Sequence, residues 1–329
     1  MKRHTIALAL SLCLCLTACG GGDGDGEGQP SLLETASGLE ETSVLLTIDG
    51  REIPAWRYLY WLAYTCDQIA ERYEAAELSL DWDAALSGGS TLADSAKEQA
   101  LADTALYATV ENWAETYDIT PAESSDGAGA SVLPELGLSA EQTAELAEVG
   151  RLYAALYELA HTADSALAPT EEDLAAYGRE LRAITLDRIL VPAGEDRESA
   201  RQSAAALFSQ LNSAADQAAT FSELAAAGGD TAGPRTLLPG DVSLDETLWE
   251  AAEALEEGQI SGILESEEGF SILRRLPLDT AALLDDCFDH QLETAAQSAD
   301  ISVTPAYETL DPAAFYDALR QVRQQGAAA

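Results

Sequence analysis

Histidine is the side chain best suited to moving protons near neutrality. It occurs three times in 329 residues, at His4, His161 and His290, and nowhere between the last two. So few histidines suggest no Ser/His/Asp grouping. His161 falls near the end of an expected helix, where an imidazolium complements the helix dipole. Five cysteines are present, but neither their spacing nor the histidine content matches a metal-ligand pattern. No metal and no cofactor is therefore expected. The glycine-rich run "AAGGDTAG", Ala226 to Gly233, lacks the Lys-Ser/Thr pair of a phosphate-binding loop, so its glycines are read as turn formers.

Charge narrows the classes further. With 17 Lys+Arg against 58 Asp+Glu the net charge is −41. A phosphate backbone requires a basic surface, so nucleic acid is excluded as a partner. Electrostatic docking on anionic lipid is disfavoured for the same reason. Apolar residues make up 47% of the chain, enough to bury a core, and the alanine- and leucine-rich composition favours helix.

The elements that must position any site begin with an export signal. Lys2 and Arg3 precede an apolar run from Ile6 to Leu16, too short to span a bilayer as a mature helix. "LTAC", Leu16 to Cys19, resembles the bacterial lipobox, in which the cysteine is lipidated and becomes the first mature residue. "GGGDGDGEGQP", Gly20 to Pro30, reads as a solvated tether. Residues 1–18 are thus expected as signal peptide and 19–43 as lipidated Cys19 plus a flexible linker. Removal of the signal leaves 15 basic against 58 acidic residues. Cys66 and Cys287 are expected as buried small hydrophobes, with a disulfide as the alternative.

"VLLTIDGREI", Val44 to Ile53, predicts a hairpin turning at Asp49-Gly50. Pro54 opens a helix to about Ala76 with an aromatic stripe of Trp56 and Tyr60 expected on its core side. Helices follow over Thr91–Tyr117 and from Ser139, where Gln142 completes a capping-box signature. A shorter helix, Pro169 to Leu181, is capped by Thr170. Residues 44–181 therefore read as a helical lobe. Between Arg182 and Leu276 the pattern becomes strand, two helices, strand, helix, strand, strand. This is an α+β unit long enough for a core of its own. Residues 278–329 return to helix, except for an extended "ISVTPAYETLD", and are expected to pack back on the first lobe.

The α+β insert, 182–277, resembles the parvulin-type peptidyl-prolyl isomerases. The matching pieces are "RILV" at Arg188, "TFSELA" at Thr220, "LDETLWEAAEALEEGQIS" at Leu244 and "EEGFSILRR" at Glu267. The whole layout, from lipobox through "IDGREI" to the helical return, looks like the surface-anchored foldases related to PrsA and SurA. The resemblance implies an α+β protein in which a mostly helical frame holds an inserted parvulin-like domain. It implies unfolded or partly folded exported polypeptides as partners, the extracytoplasmic face of a bacterial membrane as location, and Cys19 as anchor. It also allows a homodimer. The groove departs from the family. The two usual histidines are replaced by Arg188 and Ser271. The Met and Phe that usually shape the proline pocket become Leu244 and Leu248, and a second pocket aromatic becomes Glu253. Arg188 is expected to form a salt bridge outside the groove. Isomerisation breaks no bond and needs no nucleophile, only a site that favours the twisted amide over the planar one. The loss of the histidines therefore implies weak activity rather than none. A non-catalytic holdase and a structural envelope lipoprotein are the alternatives.

Overall fold

The computed structural model describes residues 30–120, 136–227 and 233–327. The signal peptide, Cys19 and most of "AAGGDTAG" lie outside the described residues. The chain order is α1 (Leu32–Ser37), β1 (Val44–Ile48), β2 (Arg51–Pro54), α2 (Ala55–Ala75), α3 (Leu92–Thr116), α4 (Ala140–Ala160) and α5 (Glu171–Leu181). Then come β3 (Ile184–Pro192), α6 (Arg197–Ser213), α7 (Gln217–Ala227), β4 (Arg235–Leu237), α8 (Glu246–Glu253), β5 (Leu264–Glu265) and β6 (Gly269–Leu276). After a 3-10 turn at Thr280–Leu283 follow α9 (Leu284–Gln297), β7 (Ile301–Val303), α10 (Pro305–Thr309) and α11 (Pro312–Ala327).

Side-chain caps start the frame helices where the sequence places them. Thr91, Ser139 and Thr170 each accept the backbone N–H three residues on, and Asp94, Gln142 and Asp173 return the bond to the cap's own N–H. Each box satisfies two backbone donors that would otherwise be unpaired. The expectation for α2 was a one-sided stripe, but every residue from Ala55 to Ala63 is buried. A helix apolar all round is a central helix, and α2 has α1, α3 and α11 packed around it.

The frame is closed from both ends of the chain. β7 adds to β1 to make a three-stranded antiparallel sheet ordered β2-β1-β7, with Thr47 opposite Ser302. The tight turn at Asp49 joins this sheet twice, since its N–H donates to the Asp300 carbonyl (2.9 Å) and its carboxylate accepts the Asp300 N–H (2.8 Å). Lys97 on α3 ties down α10. Its ammonium donates to the carbonyls of Tyr307 (2.7 Å) and Leu310 (2.8 Å), capping a helix end where cations are favoured. Two parts of the sequence reading are corrected here. The expected linker over 19–43 contains α1, whose Leu33 is fully buried between Ser31 and Gly38 caps. The expected extended run after Ile301 contains α10, started by Thr304 and Pro305. Both helices are six residues or shorter, so they depend on docking rather than on propensity.

The insert leaves and rejoins the frame at one crossing. Gly178 on α5 lies against Leu278 and Leu283, and a Cβ there would stand 2.5 Å and 2.9 Å from their side chains. A larger residue here would require both leucine side chains to shift. Within the insert a four-stranded antiparallel sheet is ordered β4-β3-β6-β5. Ile184, Leu186 and Leu273 face α8. Ile189 and Ile272 face α6 and α7, with Phe221 at their centre. The sheet is therefore covered on both sides, except where polar side chains interrupt the α8 face.

Candidate functional site

Side chains on β3 and β6 alternate faces, and the antiparallel register sets Arg188 opposite Leu273 and Leu190 opposite Ser271. Arg188 and Ser271 are thus diagonal neighbours on the α8 face. They touch: the Arg188 Nε–H donates to Ser271 Oγ at 3.0 Å. The ion pair expected of Arg188 is present, but the side chain also reaches inward to Ser271. The pair is with Glu268 at 2.7 Å, and the arginine side chain is only 11% exposed and spans the centre of the site. A third bond runs from its other terminal nitrogen to the Ser243 carbonyl at 3.2 Å.

Each partner is fixed locally. Ser271 is fully buried in the middle of β6. Ser243 sits in a turn in which the Asp241 carboxylate accepts both its hydroxyl (2.6 Å) and its N–H (2.8 Å). Those two bonds hold the Asp241 carboxyl below its usual range. Glu268 lies on the turn between β5 and β6, where Gly269 has φ 149°. A Cβ on Gly269 would collide with the Val191 carbonyl and lie 2.7 Å from the Ala193 nitrogen. That glycine brings the turn, and with it Glu268, against the end of β3.

The other residues singled out by sequence fall elsewhere. Leu248 is 1% exposed and Leu244 9%, and both pack with Ile184, Leu186, Leu237 and Leu273. Leu248 is core, with no surface to offer a proline ring, and Leu244 is buried in the same cluster beside Ser243. Glu253 is not in the groove. It grips Arg182, with N–O distances of 2.6 Å and 2.9 Å, at the junction of α5 and β3. Arg182 has φ 57°, so this pair clamps the bend at which the chain enters the insert. Cys66 and Cys287 are both buried and free. Among the described residues no group of three or more His, Cys, Asp or Glu could hold a metal ion, and no helix is long and apolar enough to cross a membrane.

Sequence reasoning missed Asp241, Ser243 and Glu268. The "GDVS" run carries a turn signal for the first two. Glu268 is recognisable only once Gly269 is known to press the turn onto β3. The arrangement presents hydrogen-bond donors and one cation. Among the described residues it holds no imidazole; its acceptors are the Glu268 and Asp241 carboxylates, and the guanidinium itself offers donors only.

A two-sided antiparallel sheet with this strand order, two helices on one face and one on the other, defines an α+β domain of the parvulin type. The family model of the rotamase, PPIC-type PPIase domain matches residues 185–276. This segment of the chain belongs to that family. No curated protein matches the chain significantly in sequence. Among solved structures the chain is similar to the foldase protein PrsA of Streptococcus pneumoniae. The identity is 15% over 82% of this chain and 83% of that one, with a TM-score of 0.26. Similarity to PrsA of Bacillus subtilis is 13% over 87% and 93%, with a TM-score of 0.22. Similarity to a structure from a study of the SurA-like chaperones PEB4 and Cj1289 of Campylobacter jejuni is 12% over 78% and 92%, with a TM-score of 0.24. These superpositions are too loose to bear on function.

Proposed function

We propose that the chain is an extracytoplasmic foldase-type chaperone, tethered to a bacterial membrane through Cys19, whose parvulin-type domain isomerises X–Pro bonds only weakly. The observation that carries the reading is Arg188. It stands where the family places a histidine and is bonded to Ser271, which stands where the family places the second. A proline-handling scaffold is kept while its titratable centre is replaced by a fixed cation. The packing of Leu248 into the core points the same way, since it narrows the grip on a proline ring. The lipobox-like "LTAC" and the glycine-rich tether support the anchor. The test is cis/trans exchange of a proline peptide with the chain from Gly20 to Ala329. The proposal expects measurable but slow catalysis, and a rate equal to buffer removes it.

One observation favours the holdase reading as a second possibility. A cleft of about 510 Å³ lies in the frame between the end of α3 and α9, lined by Trp113, Tyr117, Leu167, Pro169 and His290. Such a surface suits an apolar client side chain. If this reading holds, the chain suppresses aggregation of an unfolded client, and Trp113→Ala lowers that suppression without changing proline exchange.

A further inference from the structure

The two histidines among the described residues, His161 and His290, both meet α9, the helix on which the insert rejoins the frame. We propose that His161 is a pH-sensitive latch, which in its charged form fastens the first turn of α9, and with it the exit from the insert, to the end of α4. The inference is independent of how the groove treats proline. Geometry alone asks for the charged ring. His161 closes α4, and both of its nitrogens face acceptors. Nδ1 meets the Tyr157 carbonyl at 2.7 Å, and Nε2 meets the Asp285 carboxylate at 2.8 Å. A neutral imidazole carries one N–H, so only the imidazolium donates to both. Tyr157 stacks on the ring at 4.0 Å and meets buried Phe288 of α9 edge-on at 5.7 Å, which sets the imidazole against α9. On loss of the proton the bond to Asp285 is the one released, because that carboxylate is 75% exposed and solvent replaces the partner.

This end of α9 lacks other fastenings. α3, α4 and α5 start on capping boxes, whereas α9 starts at Leu283 with no side-chain cap, and the 3-10 turn before it starts at Asp279 with none. The chain comes to that turn from β6, and Leu278 and Leu283 rest against Gly178 of α5, the helix that leads into β3. Releasing Asp285 therefore loosens the exit from the insert beside its entry. The loosening stops after one turn. There the Tyr153 hydroxyl donates to Asp289 at 2.7 Å, and a phenol keeps its proton across the range in which an imidazole titrates. Burial opposes charge on His161, but the Tyr157 carbonyl on its own helix and Asp285 and Asp289 on α9 outweigh it and raise its pKa. The latch is thus complete below about pH 6.5 and opens as pH rises through the higher folded value. His290 serves a different contact. It stacks on Tyr177 of α5 at 4.8 Å and lies 3.7 Å from Glu180, with Asp173 across the adjoining cleft and Glu293 on its own helix. It joins α5 to the middle of α9 and leaves the first turn to His161.

Amide hydrogen exchange on the chain from Gly20 to Ala329 tests the latch, read as protection factors so that the pH dependence of intrinsic exchange cancels. Between about pH 5.5 and about pH 8, protection of Leu284, Cys287 and Phe288 is expected to fall about threefold to fivefold, the size of one exposed charge pair. It is expected to stay below the protection of α3 at both pH values. His161→Ala and Asp285→Asn should each give the low value throughout, and His290→Gln should keep the fall. Unchanged protection in the native chain overturns the latch. A fall that survives in His161→Ala or in Asp285→Asn, or one that disappears in His290→Gln, assigns the titration to another group and also overturns it. Protection equal to that of α3 at both pH values means that the turn opens only with the whole frame, which is equally fatal. The two latch variants are independent, so either one carries the test if the other fails to fold.

Discussion

The bonds of Arg188 are unequal, and a pair of double-mutant cycles will show it. Ser271 is fully buried and accepts Nε–H at 3.0 Å. A hydrogen bond to a charged group contributes about 1.5–3 kcal/mol, and leaving a buried partner unsatisfied costs a similar amount. Glu268 accepts at 2.7 Å but is 62% exposed, so screening by solvent reduces its contribution to about 0–1 kcal/mol. The coupling between Arg188→Met and Ser271→Ala should therefore be about 2 kcal/mol. That between Arg188→Met and Glu268→Gln should stay below about 1 kcal/mol and vanish in 1 M salt, where the screening length falls to about 3 Å. The assay is urea unfolding followed by tryptophan fluorescence, in which Trp249 reports on the insert because it packs against the Leu248 cluster. If the Glu268 coupling equals or exceeds the Ser271 coupling, or persists in high salt, the guanidinium is held by the turn and not by β6. The ranking on which the site description rests would then be wrong.

Three further outcomes follow from the geometry. Burial disfavours charge on His161, but the Tyr157 carbonyl (2.7 Å), Asp285 (2.8 Å) and Asp289 outweigh it and raise its pKa. Its contribution is therefore complete below the unfolded value of about 6.5 and is lost as pH rises through the higher folded value. His161→Ala should flatten the stability profile across that window, as read by denaturant midpoints. Burial lifts the Asp103 carboxyl to about 6, so stability falls as pH rises from its unfolded value toward 6. Asp103→Asn, which keeps a partner for Gln99, should raise stability at pH 8 by about 2–3 kcal/mol and leave it nearly unchanged at pH 3. Gly269→Ala forces a Cβ into the Val191 carbonyl and should cost about 3 kcal/mol or more, visible as a lowered urea midpoint of the insert.

What was legible in the sequence had local causes. The capping boxes at Thr91, Ser139 and Thr170 fix helix starts through side chains three residues apart, so they can be read directly. β3 and β6 were legible as apolar strands at the two ends of the insert, while their pairing, with Val191 opposite Phe270, is seen only in the structure. The elements that were missed are stabilised from a distance. α10 is held by Lys97 more than 200 positions away in the chain, and α1 by packing on α11. β7 counts as a strand only because it meets β1 across the molecule. The site shows the same division. That Arg188 and Ser271 stand where the family usually has histidines was an expectation from the resemblance. That the arginine turns inward was not, because its direction is set by the Ser243 carbonyl and by a turn that Gly269 brings close. Leu244 and Leu248 were read as pocket lining, yet Leu248 is drawn into the core by apolar neighbours on β3, β4 and β6.

The central claim is that this parvulin-type groove still handles proline, with a fixed cation in place of its histidines. Exchange spectroscopy on an X–Pro peptide, in the presence of increasing amounts of the chain from Gly20 to Ala329, tests it most directly. The uncatalysed exchange takes tens of seconds or longer. The native chain should shorten it in proportion to its concentration, and the Arg188→His/Ser271→His double variant should accelerate it at least about tenfold more, equivalent to about 1.4 kcal/mol of barrier. Exchange indistinguishable from buffer with both proteins, each shown to be folded, would contradict the account.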